Sequence, residues 1–328
     1  MRRRDFITLL GGAPAALPLA ARAQQQQAAM SVVGWLGSET REAEDSRVVP
    51  FREGLKEGGY SEGQNVTIEY RFADGHYDRL PALAADLVHR QVSVIALTGQ
   101  PAALAAKAAT TTISIIFQVA DDPVQLGLVA SLSRPGGNIT GVSTMNLELG
   151  PKRLGLLVEL MPGATRFAVL VNPNSPSTEA HIADVRAAAA ILGVQVETLM
   201  AKTNLDIDAN FASLGQKRVE ALLVSAGPPF GQRRAQLATL AARHGVPTIY
   251  PDRMYAEAGG LMSYGSNVIE MYRQAGIYTG RILKGENPAE MPVIQAAKFE
   301  FIINIHTAKL LGLDVPATLL ARADEVID

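Results

Sequence analysis

Side chains able to hold a small polar solute recur at regular places along this 328-residue chain, whereas groups able to attack one do not assemble. Short segments at 37–39, 98–101, 118–122, 143–144, 172–175, 225–229 and 250–253 are small, polar and rich in Gly or Pro. Ser38, Thr98, Gln100, Ser143 and Asn174 offer hydroxyls and amides, and Gly99 and Ala226 offer bare backbone. Asp122 and Asp252 offer carboxylates, and Tyr264 a ring for packing against an apolar or aromatic ligand, with Tyr250 a second such ring. Adjacent residues on a loop seldom face one ligand, so Asp122 is expected at the site and Asp121 in solvent or capping a helix that opens at Pro123. Trp35 is expected in the core.

The residues of covalent or metal chemistry are scattered. The 5 histidines (His76, His89, His181, His244, His306) include no i, i+4 pair, and there is no cysteine, so no metal site is expected. No G-x-S-x-G is present, and no G-x-G-x-x-G or G-x-x-x-x-G-K-[ST] follows a strand. The chain is therefore expected to bind without turnover and without a cofactor.

Regular alternation of strands and helices positions these loops. Short apolar runs at Ser31–Gly37, Val66–Phe72, 92–97, 113–119, Ile139–Ser143, Arg166–Val171, 194–200, 221–225, 247–250, 260–264 and 299–305 read as strands. Helical spacing marks 48–57, 78–90, 101–110, 123–132, 151–161, 177–192, 207–216, 231–244 and Val268–Leu283. So many elements exceed one sheet with its helices, and strand–helix alternation favours parallel pairing. The expected fold class is α/β: two doubly wound parallel-sheet lobes joined by a hinge. Residues 31–143 with 260–290 are assigned to the first lobe, and 144–259 with 291–328 to the second. In such sheets ligands lie beyond the carboxyl ends of the strands, where the loops above converge. Helices opening at Pro101 and Ser177 add N-termini that favour anions.

The first residues carry an address. Arg3-Arg4, a polar spacer and Phe6-Ile7 open an apolar run that is broken by Gly11-Gly12, Pro14 and Pro18, too short to span a bilayer. Ala21-Arg22-Ala23 supplies a small-x-small cleavage pattern. Residues 1–23 are expected to be a twin-arginine signal peptide cut after Ala23, and 24–30 a polar linker, releasing the protein into the periplasm. The whole chain carries −2, and the remainder after the signal about −5. That charge, with no long basic run, argues against nucleic acid. The lack of cysteine removes both a disulfide framework and a lipid anchor, so the protein is expected to be a free monomer without a membrane anchor.

Longer motifs add a resemblance. Ile115-Ile116-Phe117, Asp121-Asp122-Pro123-Val124, Gly127-Leu128-Val129-Ala130-Ser131-Leu132 and Arg134-Pro135-Gly136-Gly137-Asn138-Ile139-Thr140-Gly141 form one signature. Leu240-Ala241-Ala242-Arg243-His244, Ala258-Gly259-Gly260-Leu261-Met262-Ser263-Tyr264-Gly265 and the closing Leu319-Leu320-Ala321-Arg322-Ala323-Asp324-Glu325-Val326-Ile327 extend it. Together they resemble the ABC-transporter substrate-binding proteins of the tryptophan/tyrosine-uptake type. The resemblance implies a type I periplasmic binding protein that traps a small molecule, an amino acid or aromatic compound, between its lobes. It also implies delivery to an ABC permease in the inner membrane. One departure stands out: many relatives carry an acid where this chain has Gly227, leaving Asp122 or Asp252 to meet a ligand ammonium. A sensor of the same fold, docking on a signalling receptor, is the alternative reading. An exported enzyme is the third.

Overall fold

The computed structural model describes residues 30–227 and 229–328. The signal peptide and nearly all of the linker lie outside the described residues. Strands β1 (Ser31–Gly37), β2 (Val66–Phe72), β3 (Val94–Thr98), β4 (Ser114–Val119) and β5 (Ile139–Ser143) alternate with helices α1 (Arg41–Glu57), α2 (Leu80–His89) and α3 (Gln100–Ala109). The second series runs α4 (Gly150–Leu160), β6 (Arg166–Val171), α5 (Thr178–Leu192), β7 (Gln195–Met200), α6 (Asn204–Ser213), β8 (Ala221–Val224) and α7 (Arg234–Arg243). It continues through β9 (Thr248–Tyr250), α8 (Arg253–Glu257) and β10 (Met262–Ser266). The chain ends with α9 (Val268–Leu283), β11 (Ile294–Gln295), β12 (Phe299–Asn304), α10 (Ile305–Leu310), α11 (Ala317–Leu320) and β13 (Glu325–Ile327).

These strands form two sheets, ordered β11-β5-β4-β3-β1-β2 and β13-β12-β10-β9-β8-β6-β7. Pairing is parallel except for β10 with β12, which run antiparallel. Parallel strands covered on both faces need apolar side chains on both, and β3, β5 and β8 are buried along their whole length. In the first sheet the order reverses between β1 and β3, and in the second between β6 and β8. These are the switch points where helices leave on opposite faces and a crevice opens.

Sheet membership keeps the first of the three crossings between the lobes, after β5, and places the other two differently from the sequence-based assignment. The chain leaves the first sheet after β5, and β10 then pairs with β9 and β12 in the second sheet. Residues 262–266 thus belong to the second lobe, not the first. It recrosses at once, because α9 packs along α1 of the first lobe. β11 pairs with β5, so 294–295 also belong to the first lobe, and only β12 onward completes the second. Close packing explains why α9 goes back: a Cβ on Gly54 would lie 1.8 Å from the Arg273 carbonyl oxygen, and one on Gly276 2.1 Å from that of Phe51. Glycines on both helices let the backbones nearly touch.

The helix expected over 123–132 is absent. Asp122 Oδ1 accepts from the Val124 and Gln125 N–H groups, and Gly127 takes φ +65°. Those bonds and that left-handed residue coil the segment into successive turns. Trp35 is core, 1% exposed and edge-on to Phe51 at 4.9 Å. Among the described residues no helix is long and apolar enough to cross a membrane.

Candidate functional site

The carboxyl ends of β1, β3 and β4 face those of β6, β8 and β9 across a closed cleft, and the loops between them enclose a cavity of about 90 Å³. Thr98, Gly99, Gln100, Ala226 and Asp252, all expected at the site, line it. Gly99 turns the chain with φ +80° and anchors its N–H on the Gln118 carbonyl at 2.9 Å. The N-terminus of α3 consequently opens at the cavity wall. Gln100 also ties the lobes together: Ser175 Oγ donates to its Oε1 at 3.0 Å, and its Nε2 donates to Ser177 Oγ at 3.4 Å.

Ser38, Asp122, Ser143, Asn174 and Tyr264 do not line the cavity, each for a local reason. Ser38 Oγ is fully buried and donates to the Thr98 carbonyl at 2.9 Å, so it braces β1 against β3. Ser143 Oγ donates to the Asp121 carbonyl at 2.8 Å. Asn174 is exposed, and its N–H donates to Asn172 Oδ1 in the turn before α5. The Tyr264 ring packs against Phe299 and Phe301 in the second lobe. Tyr250 is also core, stacked on Tyr255 at 5.0 Å. The adjacent carboxylates exchange the expected places. Asp122 caps the 123–125 turn, while Asp121 is 7% exposed and lines the cavity.

The charged lining has both signs. Burial pushes Asp252 up to about 6, against the Met254 N–H that its Oδ1 accepts at 3.1 Å and the more distant Arg153, Arg234 and Arg47. Asp252 forms no salt bridge with any described residue. Burial likewise raises Asp121, opposed by the Ser177 hydroxyl, and its Oδ1 has no partner. Arg47, from α1, bonds Glu44 Oε1 at 3.0 Å. Burial is the largest effect and works against its charge, but Glu44, Tyr272, Glu39 and Tyr255 together outweigh it and hold the guanidinium ionised. Glu44 Oε1 also accepts from Thr98 Oγ1 at 2.8 Å, which fixes the pair to the end of β3. Across the cleft, a Cβ on Gly231 would meet Arg47 Nη2 at 3.0 Å, and Gln232 Nε2 donates to Glu39 Oε2.

Rings complete the lining. Tyr77, Tyr255 and Tyr272 reach the cavity, and Tyr272 donates to Gln118 Oε1 at 2.7 Å. Sequence reasoning missed Arg47, Tyr77, Asn146, Tyr255 and Tyr272. For Arg47 a signal existed: Thr40 caps α1 through the Ala43 N–H, so the helix begins before residue 48 and its first turns carry Glu44 and Arg47. Among the described residues no three His, Asp or Glu groups are placed to hold a metal ion.

Two lobes with parallel-dominated sheets, closed over a small cavity lined by apolar surface and a few charged and polar groups, define a solute-binding protein. The sequence pattern of the ABC transporter substrate binding protein family matches residues 40–327, and this chain belongs to that family. It is accordingly the solute-binding component of an ABC transporter and not an enzyme, with a small molecule and a permease as partners. The family is typically extracellular or periplasmic. A tyrosine-binding protein of Clostridioides difficile (strain R20291) is 26% identical over 264 residues, 80% of this chain and 75% of that protein. A conserved domain protein from Vibrio cholerae superposes with TM-score 0.83 at 26% identity, covering 90% of this chain and 99% of that one. An ABC domain from Streptococcus pneumonia in complex with L-Trp gives TM-score 0.80 at 24% identity, covering 90% and 100%. A ligand-free, open substrate-binding protein from Clostridium difficile gives 0.63 at 24% identity, covering 90% and 99%.

Proposed function

We propose that this protein binds a free α-amino acid with an aromatic side chain, of the tryptophan or tyrosine class, and presents it to an inner-membrane ABC permease. The observation that carries the proposal is Asp252, a buried carboxylate on the cavity with no salt bridge to any described residue. A ligand ammonium would supply the missing charge, and Asp121 Oδ1 offers a second acceptor for it. The carboxylate of the same ligand would face the α3 N-terminus and Arg47, and tyrosine rings would flank its side chain. Gly227, where many relatives carry an acid, is then compensated from other loops. Thr98, Gly99, Gln100 and Ala226 would contribute short polar and backbone contacts. Ser38, Ser143, Asn174 and Tyr264 would act on the frame, and Asp122 on the turn that holds Asp121. The cargo of two relatives, tyrosine and tryptophan, supports the same class.

Export through the twin-arginine route, cleavage after Ala23 and life as a free periplasmic monomer complete the proposal, supported by the N-terminal sequence and the lack of cysteine. Cleavage is checked by N-terminal sequencing of protein recovered from the periplasm: Gln24 as first residue is expected. Retention in the cytoplasm after disabling the twin-arginine translocase is expected too, and normal export without it would defeat that part. Ligand class is checked by titrating the protein with L-tryptophan and L-tyrosine. Saturable binding is expected, and its absence for every amino acid tried would defeat the proposal.

A further inference from the structure

Part of the cavity wall belongs to the hinge itself. Residues 144–149 make the first crossing between the lobes, and Thr144, Asn146 and Leu147 from it reach the cavity. The Leu147 N–H donates to the Ala120 carbonyl at 3.2 Å, so this stretch runs beside the segment that carries Asp121. On its other side stands Gly265, next to the second crossing. A Cβ there would overlap the Pro251 carbonyl oxygen and lie 2.9 Å from Asn146 Oδ1, and Pro251 directly precedes Asp252. Asn146 is thus flanked by the two segments whose carboxylates face the cavity. Met145 before it takes φ +54°, a left-handed backbone that costs a residue with a side chain and is kept where the surroundings require it.

A single partner settles how the Asn146 amide is turned. The residue is 2% exposed, and its Oδ1 accepts from the Ser266 N–H at 2.9 Å. A backbone N–H only donates, so the amide oxygen faces Ser266 and Nδ2 faces away from it. Nδ2 has no acceptor among the described residues, and unlike the Ser266 hydroxyl and Arg153 Nη1 it is not sealed off. Other donors on the cavity are committed: Thr98 Oγ1 to Glu44, Tyr77 to Glu39 and Tyr272 to Gln118. A buried amide donor left open needs an acceptor from the occupant. The ammonium of an amino acid cannot supply one, but the carboxylate borne on the same carbon can.

We infer that Asn146 is a specificity-determining residue of the site, its Nδ2 donating to a carboxylate oxygen of the bound amino acid while its Oδ1 stays on Ser266. The inference rests on the amino-acid reading and adds to it the group that recognises the carboxylate from the hinge. An uncharged donor suits this place. A lysine or arginine here would pair with Asp121 and Asp252, whereas an amide leaves both carboxylates to the ligand ammonium. Because Asn146 and Ser266 stand where the chain crosses between the lobes, a ligand held by this amide is held at the hinge about which they close.

Two substitutions separate recognition from support. Asn146→Asp keeps an acceptor for the Ser266 N–H but has no donor when ionised at pH 8, and Asn146→Ala removes both. Each is compared with the parent by thermal melting in increasing L-tryptophan or in tryptamine, which lacks the carboxylate. The rise in melting temperature reports weak as well as tight binding. For L-tryptophan, affinity should fall at least tenfold with Asn146→Ala and further with Asn146→Asp, where two carboxylates would meet. Tryptamine should lose less than twofold with Asn146→Ala. It should bind Asn146→Asp at least as well as the parent, because the added charge attracts its ammonium. A general disturbance of the hinge would weaken both ligands alike. Parent-like L-tryptophan affinity in the folded variants, or a loss for tryptamine as large as that for L-tryptophan, would overturn the inference. Failure of the parent to bind any amino acid would instead overturn the amino-acid reading itself, and the inference with it.

Discussion

Asp252 sits where burial opposes its charge, and its titration near 6 gives the proposed site a pH signature. A ligand ammonium favours the ionised form, so affinity should be full above about pH 7 and weaken by up to about tenfold per unit as pH falls below 6. Calorimetry across pH 5–8 measures this; a flat profile would remove Asp252 from contact with the ammonium. Asp252→Asn should weaken tryptophan binding by roughly a hundredfold, since a charge-assisted bond becomes neutral. The unliganded melting temperature at pH 7 should not drop, because asparagine also caps a helix and the raised carboxylate contributes stability only when protonated. That contribution is present below the unfolded value near 4 and lost as pH rises through 6. His181 has the opposite sign. Its depressed value means stability is present above 6.5 and lost as pH falls through 4, roughly 3 kcal/mol in all. His181→Asn should flatten that acid-side slope in urea denaturation, and an unchanged slope would assign it to other groups. Loop composition made most of the lining legible, because Gly and short polar residues punctuate strand ends. Which of Asp121 and Asp122 turns inward was not legible, since the Asx turn that decides it depends on the backbone of 123–127.

At the scale of elements, β10 shows how a strand can be read locally and still be assigned to the wrong lobe. The strand, read at 260–264 and found at 262–266, and the helix after it were each visible from hydrophobic pattern, but periodicity does not say which sheet a strand joins. The close approach of Gly54 and Gly276 fixes α9 on α1. Gly276→Ala would place a methyl 2.1 Å from the Phe51 carbonyl oxygen, a backbone atom that cannot rotate away. The expected cost is about 1–3 kcal/mol or more, read as a lower denaturation midpoint, with tryptophan affinity reduced because Arg47 rides on α1. A stability within 0.5 kcal/mol of the parent, the range usual for surface substitutions, would show that the helices separate freely. The short elements α8, β11, α10, α11 and β13 carry too few residues for periodicity to register, and α8 is where Tyr255 hides.

The whole molecule is a pair of sheets whose switch points face one another, with contacts that exist only while the cleft is shut. Gln232 with Glu39, Ser175 with Gln100, and Gly231 against Arg47 all join opposite lobes. Each contact is small beside the entropy of opening, so a ligand that touches both walls would decide the balance. Glu39→Gln should therefore change affinity only modestly, a few-fold, whereas loss of a ligand charge should abolish binding. The central claim is that the cavity recognises both charges of a free amino acid. Calorimetric titration with L-tryptophan, N-acetyl-L-tryptophan and L-tryptophan amide tests it most directly. Saturable binding of L-tryptophan or its tyrosine counterpart is expected, with at least a hundredfold loss when either charge is masked. Equal binding of the masked forms, or of no amino acid at all, would contradict it.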